Sequence, residues 1–170
     1  MSIWNKYPEL SGNELRVLVA ITAQELLESQ AASEFSEDLL ETSPAVASRE
    51  LLPLLQETDP SINEQQIRQL LENPSLSRQL CIQVLGEVSK YPELSKRIAD
   101  AYDREARMMD GGLTLLLVVG GLVILAMKIK EIHLSEEKDE KGSKKETKIS
   151  FYEAGDAVKA FITSLIKGPR

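Results

Sequence analysis

Three patterns of hydrophobic and polar positions succeed one another along the chain. Up to residue 110 the apolar side chains recur at helical spacing. Leu15, Leu18, Val19 and Leu26 share one face, and Ile67, Leu70 and Leu71, then Leu80, Val84, Leu85 and Val88, then Leu94, Ile98, Ala99 and Tyr102 repeat the pattern. From Gly111 to Met127 the alternation stops, and GGLTLLLVVGGLVILAM runs for seventeen residues without a charge and with one hydroxyl, Thr114. Beyond it the period shortens to two. Ile132 and Leu134 alternate with Glu131 and His133, and Ile149 and Phe151 with Lys148 and Ser150, around the charged SEEKDEKGSKKE, which reads as a β-hairpin. Helical spacing then returns in Ala154, Ala157, Val158, Phe161, Ile162, Leu165 and Ile166, with Gly168-Pro169 as the stop. Val158, Phe161, Ile162 and Leu165 are the expected packing face of that last helix.

These patterns predict a mainly α fold in three parts: an acidic helical bundle over 1–107 serving protein interaction, a hydrophobic helix over 108–128, and a β-hairpin plus C-terminal helix over 129–170. The helix starts are written in cap chemistry. Ser11 with Glu14, and Ser61 with Glu64, have capping-box spacing. Ser43-Pro44, Asn73-Pro74 and Tyr91-Pro92 place proline at a first helical position, where no N–H is needed. A first helix to about Ser29 and a short one over Ser33 to Thr42 are expected, and Pro53 predicts a kink or break. The phrase KYPELS occurs twice, from Lys6 and from Lys90, and reads as one helix-start device used twice, or as a trace of duplication. The spacing of the prolines is too irregular for a solenoid.

The central stretch admits two readings. At ~1.5 Å per residue a helix of this length spans ~25 Å, between a buried core helix and the ~30 Å hydrocarbon layer. Arg104 and Arg107 before it and Lys128 and Lys130 after it bracket it as cations bracket a membrane helix, so a transmembrane segment is expected, with a helix buried in a protein core as the alternative. Gly111, Gly112, Gly120 and Gly121, with Leu117, Val118 and Ile124, form the candidate face for membrane contact and self-association, although GxxxG spacing is absent.

Charge narrows the choice of partner. The net charge of -7 divides into 10 Lys/Arg against 19 Asp/Glu before the stretch and 10 against 8 after it. So acidic a first part argues against nucleic acid as a partner. Counting cations near the stretch puts the C-terminal side in the cytoplasm, yet MSIWNKYPELSGNELR has no apolar signal region, which keeps the first domain there instead. The conflict leaves open a re-entrant segment, insertion only on activation, or no membrane at all.

Candidate chemistry is sparse. One histidine, His133, and one cysteine, Cys81, stand on different segments, too few for a His/Cys metal site or a nucleophilic triad. Cys81 lies among Leu80, Ile82, Val84 and Leu85, as a small core residue would. No glycine-rich phosphate cradle is present. We therefore expect no enzyme, no cofactor and no bound metal.

The succession of a glycine-containing apolar helix, KIKEIHLS, a charged turn, KISFYEAGDAVKAF and a short terminal helix resembles small effector-associated membrane components of bacterial conflict and antiphage systems. The resemblance covers roughly the last 60 residues and assigns no functional residue. It implies a single-pass protein of the bacterial inner membrane, touching membrane lipid and a protein partner. In that reading the N-terminal domain receives a signal by contact, copies of the chain associate as a homo-oligomer, and the apolar helix acts on the bilayer. An anchored scaffold, or a helical oligomer that buries the apolar helix, are the alternatives.

Overall fold

The computed structural model describes residues 2–30, 35, 37–106, 115–137 and 144–168. Helix α1 (Gly12–Glu28) starts at Ser11, whose hydroxyl accepts the Glu14 N–H at 3.3 Å and donates to the Glu14 carboxylate at 2.8 Å. The carboxylate thus holds the cap hydroxyl rather than the Ser11 N–H. Helix α2 (Pro44–Gln56) is capped by Ser43, and α4 (Pro74–Val88) by Asn73, whose side chain accepts from both Ser75 and Leu76. Helix α3 (Glu64–Glu72) begins two residues later than Ser61 predicts. Asn63 and Gln66 form the reciprocal box at 2.9 Å each, while Ser61 donates to the Asp59 carboxylate at 2.6 Å. Helix α5 (Pro92–Glu105) opens on Pro92 without a side-chain cap.

Two local expectations are met differently: the break at Pro53 does not occur, and the short helix expected over Ser33 to Thr42 is only partly described. Pro53 neither ends nor splits α2; it lies on the exposed side of a helix that continues to Gln56. Between α1 and α2 the described helical structure is one 3-10 turn, Glu37–Leu40, and residues 31–34 and 36 lie outside the described residues. The two KYPELS copies also differ. The first folds as a 3-10 turn, Tyr7–Glu9, whose Ser11 caps α1, whereas the second runs straight into α5. The residues next to each copy decide its form: Gly12-Asn13 are poor helix formers and suit a new helix start, while Lys96-Arg97-Ile98 continue a turn already begun. The Trp4 indole N–H joins the two regions by donating to the Ser95 carbonyl at 2.6 Å.

The uncharged stretch becomes helix α6 (Leu115–Lys128), and it is the centre of the molecule. Val118, Val119, Leu122, Val123, Ile124, Leu125 and Ala126 are all buried, and α6 touches α1, α2, α3, α4 and the 3-10 turn before α2. A helix that is apolar on every side belongs inside a protein or a bilayer, and here the amphipathic helices supply the inside. Among the described residues no helix is long and apolar enough to cross a membrane. Within the stretch 108–128, expected to span a membrane, residues Val118 to Ala126 are buried by protein in this structure. Residues 107–114 lie outside the described residues.

Strands β1 (Glu131–Glu137) and β2 (Lys144–Ser150) form the predicted antiparallel hairpin, with Ile132 opposite Ile149 and Leu134 opposite Thr147. Helix α7 (Tyr152–Lys167) comes next, ending at Gly168 with φ 71°. Its Val158 and Ile162 are buried, and Phe161 and Leu165 are half-buried against the same core. This face packs on α4, α6, α3 and α2, and Phe151 packs on Tyr91 with ring centroids 5.1 Å apart. The hairpin and α7 therefore share one core with the N-terminal helices.

Ion pairs tie the same parts together: Lys128 with Glu50 at 3.1 Å, Lys159 with Glu57 at 3.0 Å, and Lys167 with Asp59 at 2.7 Å. The Lys167 ammonium and the Ser61 hydroxyl and N–H lower the Asp59 carboxyl from 3.8 to about 2. A depressed carboxyl stabilises the fold above its unfolded pKa and ceases to do so as pH falls through its folded one. Urea midpoints are expected to decline between pH 4 and pH 2, with a shallower decline in Asp59→Asn, which is already weakened at pH 6. Parallel pH profiles for the two proteins would show that the pair contributes nothing.

Candidate interaction surfaces

The outer faces of α1 and α5 meet at an open, charged cleft of about 640 Å³. Glu25 and Glu28 come from α1; Glu93, Lys96, Arg97, Asp100 and Arg104 come from α5. Their three- and four-residue spacing puts each set on one helix face. Arg97 also reaches β1, donating to the Ser135 carbonyl at 2.7 Å, so the hairpin forms part of the cleft's surroundings. Burial, and then the neighbouring Glu28, raise the Glu25 carboxyl above its ordinary value, outweighing the opposing pull of Arg97 and Arg104. Four carboxylates and three cations in one concavity suit a polar segment carrying both signs of charge.

The residues singled out by sequence are distributed differently. Gly111 and Gly112 lie outside the described residues, and Leu117 lies within α6. Val118 and Ile124 point into the core. A Cβ on Gly120 would come within 2.7 Å of the Ala47 Cβ, and one on Gly121 would land on the Leu39 carbonyl. This glycine pair thus serves the close approach of α2 and the turn before it to α6 within one chain. Cys81 is buried, and burial pushes its thiol up to about 12, which keeps it an unreactive core residue at neutral pH. His133 is largely covered, with Nε2 3.3 Å from Glu131 and Nδ1 3.3 Å from Glu146. Among the described residues no group of three or more His, Cys, Asp or Glu is placed to hold a metal ion.

Two features escape sequence reasoning. The cleft needs α1 and α5 side by side, a pairing across some seventy residues that no local pattern announces; the charged stripe of α5 is its only signal. The hairpin, in turn, has one edge partly covered and, among the described residues, one open. On β1 the His133 N–H donates to the Ser29 carbonyl at 2.9 Å and the Ser135 carbonyl accepts from Arg97. Among the described residues the large hydrophobic side chains left exposed are Val46 and Tyr152, the latter beneath Lys130 at 5.9 Å. The described surface is therefore polar.

No protein-family model, curated protein or solved structure matches the chain.

Proposed function

We propose that this chain is a non-enzymatic protein-interaction module whose α1–α5 cleft receives a charged segment of a partner protein. The observation that carries the reading is the cleft itself, an open concavity lined by Glu25 and Glu28 of α1 and by Glu93, Lys96, Arg97, Asp100 and Arg104 of α5. It offers charge recognition, and it borders a hairpin strand that could transmit binding through Arg97. The apolar α6 acts in this reading as the packing centre that holds α1 and α5 in place. Lys96→Glu with Arg104→Glu reverses two exposed cleft cations. Proximity labelling in the native host is expected to lose specific neighbours in this variant while the thermal midpoint stays unchanged. An identical set of neighbours would overturn the reading.

A second reading, a membrane-acting effector of a bacterial defence system, is favoured by the uncharged run from Leu115 to Met127. It requires α6 to leave the core, and the chain then acts only after a partner has opened it. Alkaline-carbonate extraction of the same cells tests it with the partner present. Retention in the membrane pellet supports it, and full release removes it.

A further inference from the structure

We infer that the open edge of β2 is a self-association surface, where a second copy of this chain adds its own β2 antiparallel to form a four-stranded sheet across a two-fold axis. The hydrogen-bond phase of the hairpin shows which groups are free. The Phe151 N–H donates to the Lys130 carbonyl at 2.9 Å, so, counting in steps of two along the observed register, Ile149 with Ile132 and Thr147 with Leu134 are the hydrogen-bonded pairs. The backbone groups of His133 and Ser135 then point away from β2, which is where Ser29 and Arg97 meet them. By the same alternation the N–H and C=O of Glu146, Lys148 and Ser150 point away from β1. Among the described residues no helix or strand hydrogen-bonds to them. Such a row of unpaired groups is a template for another strand.

Charge selects both the occupant and the register. For two antiparallel copies, a two-fold axis at Thr147 sets Glu146 of each chain opposite Lys148 of the other, and Thr147 opposite Thr147. Glu146 and Lys148 are both exposed and both present outward backbone groups, so each such pair exchanges two hydrogen bonds while matching opposite charges. Axes at Glu146 or Lys148 keep the hydrogen-bond phase but oppose like charges, one at Lys145 sets Glu146 opposite Lys144 but Lys145 opposite its own copy, and one at Ile149 sets Lys148 opposite Ser150 without a charge match. Thr147 is thus the axis that matches opposite charges while opposing no like ones. On the opposite edge Ser29 and Arg97 already occupy the His133 N–H and the Ser135 carbonyl, which disfavours growth beyond four strands. This surface does not involve the cleft side chains, and the inference stands independently of the proposed function.

The test is sedimentation equilibrium of the full chain from about 10 µM to about 1 mM, because a single strand edge is small beside a standard interface of about 1,600 Å². The wild type is expected to dimerise reversibly. Glu146→Lys or Lys148→Glu alone is expected to weaken the dimer about 10-fold or more, and the exchanged pair, E146K with K148E, to restore it. Lys148→Pro, which removes an outward N–H at a position where an edge strand tolerates proline, is expected to abolish it. Near-ultraviolet circular dichroism checks that each variant keeps its fold. A chain that is monomeric at every concentration overturns the inference and leaves the edge to a strand of a different protein. A dimer indifferent to charge reversal and to its exchange overturns it as well.

Discussion

Gly121→Ala is expected to destabilise the protein by about 2 kcal/mol net, despite replacing the poorer helix former with the better one. In an exposed helix interior the exchange would gain up to about 1 kcal/mol. Here the added methyl would land on the Leu39 carbonyl, a backbone group that cannot turn aside as a flexible side chain can. That carbonyl already accepts the Thr42 hydroxyl at 3.1 Å, so displacing it disturbs the whole turn leading into α2. Overpacking of this kind costs about 1 to 3 kcal/mol, occasionally more. Gly12→Ala is the control. No heavy atom lies within 4 Å of its added Cβ, and a change within about 0.5 kcal/mol is expected. Urea unfolding of the three proteins measures both effects. A Gly121→Ala midpoint equal to or above the wild type would mean that the close approach of Leu39 to α6 does not persist in solution.

The same glycine shows where sequence reasoning stops. Helix starts are legible because their chemistry is local: Ser11, Ser43, Asn73 and Pro92 each satisfy or spare N–H groups within three residues of themselves. The one displaced start is explained by Ile62. It is buried, so the segment around Ser61 must turn inward before Asn63 can cap α3. The hairpin is legible from its alternation, and Val158 and Ile162 from their helical spacing. The location of α6 is not, because seventeen uncharged residues satisfy a bilayer and a protein core equally well. The amphipathic faces that surround it decide between the two, and those faces come from α1, α2, α4 and α7, far apart in sequence. Gly120 and Gly121 carry the right meaning, close backbone approach, but their partners Ala47 and Leu39 have no sequence mark. The cleft is illegible for the same reason: each of its two helices reads alone as an ordinary solvated face.

A chain ending at Ala106 is expected not to fold, although the sequence reads as a self-sufficient bundle up to that point. In α1 the residues from Leu15 to Ala23 are buried without interruption, more than two full turns, so the helix is covered on every side. Part of that cover is α6, which also lies against α2, α3 and α4, while α7 covers α4 and α6. Removing residues from 107 onward bares these faces and deletes the buried side chains of Val118, Val119, Leu122, Val123, Ile124, Leu125, Val158 and Ile162. Each fully buried aliphatic side chain contributes about 1.5 to 3 kcal/mol, and a whole domain is stable by only about 5 to 15 kcal/mol. The deficit is therefore larger than the stability available. The fragment should bind a hydrophobic dye, lack near-ultraviolet circular dichroism and show no heat-capacity peak, while the full chain melts in one cooperative transition that includes the hairpin. A fragment with its own sharp transition would mean that the N-terminal helices form a separate domain and that α6 is free to be elsewhere. That result would return the apolar helix to the membrane reading, since only a helix not needed by the core can leave it without unfolding the rest.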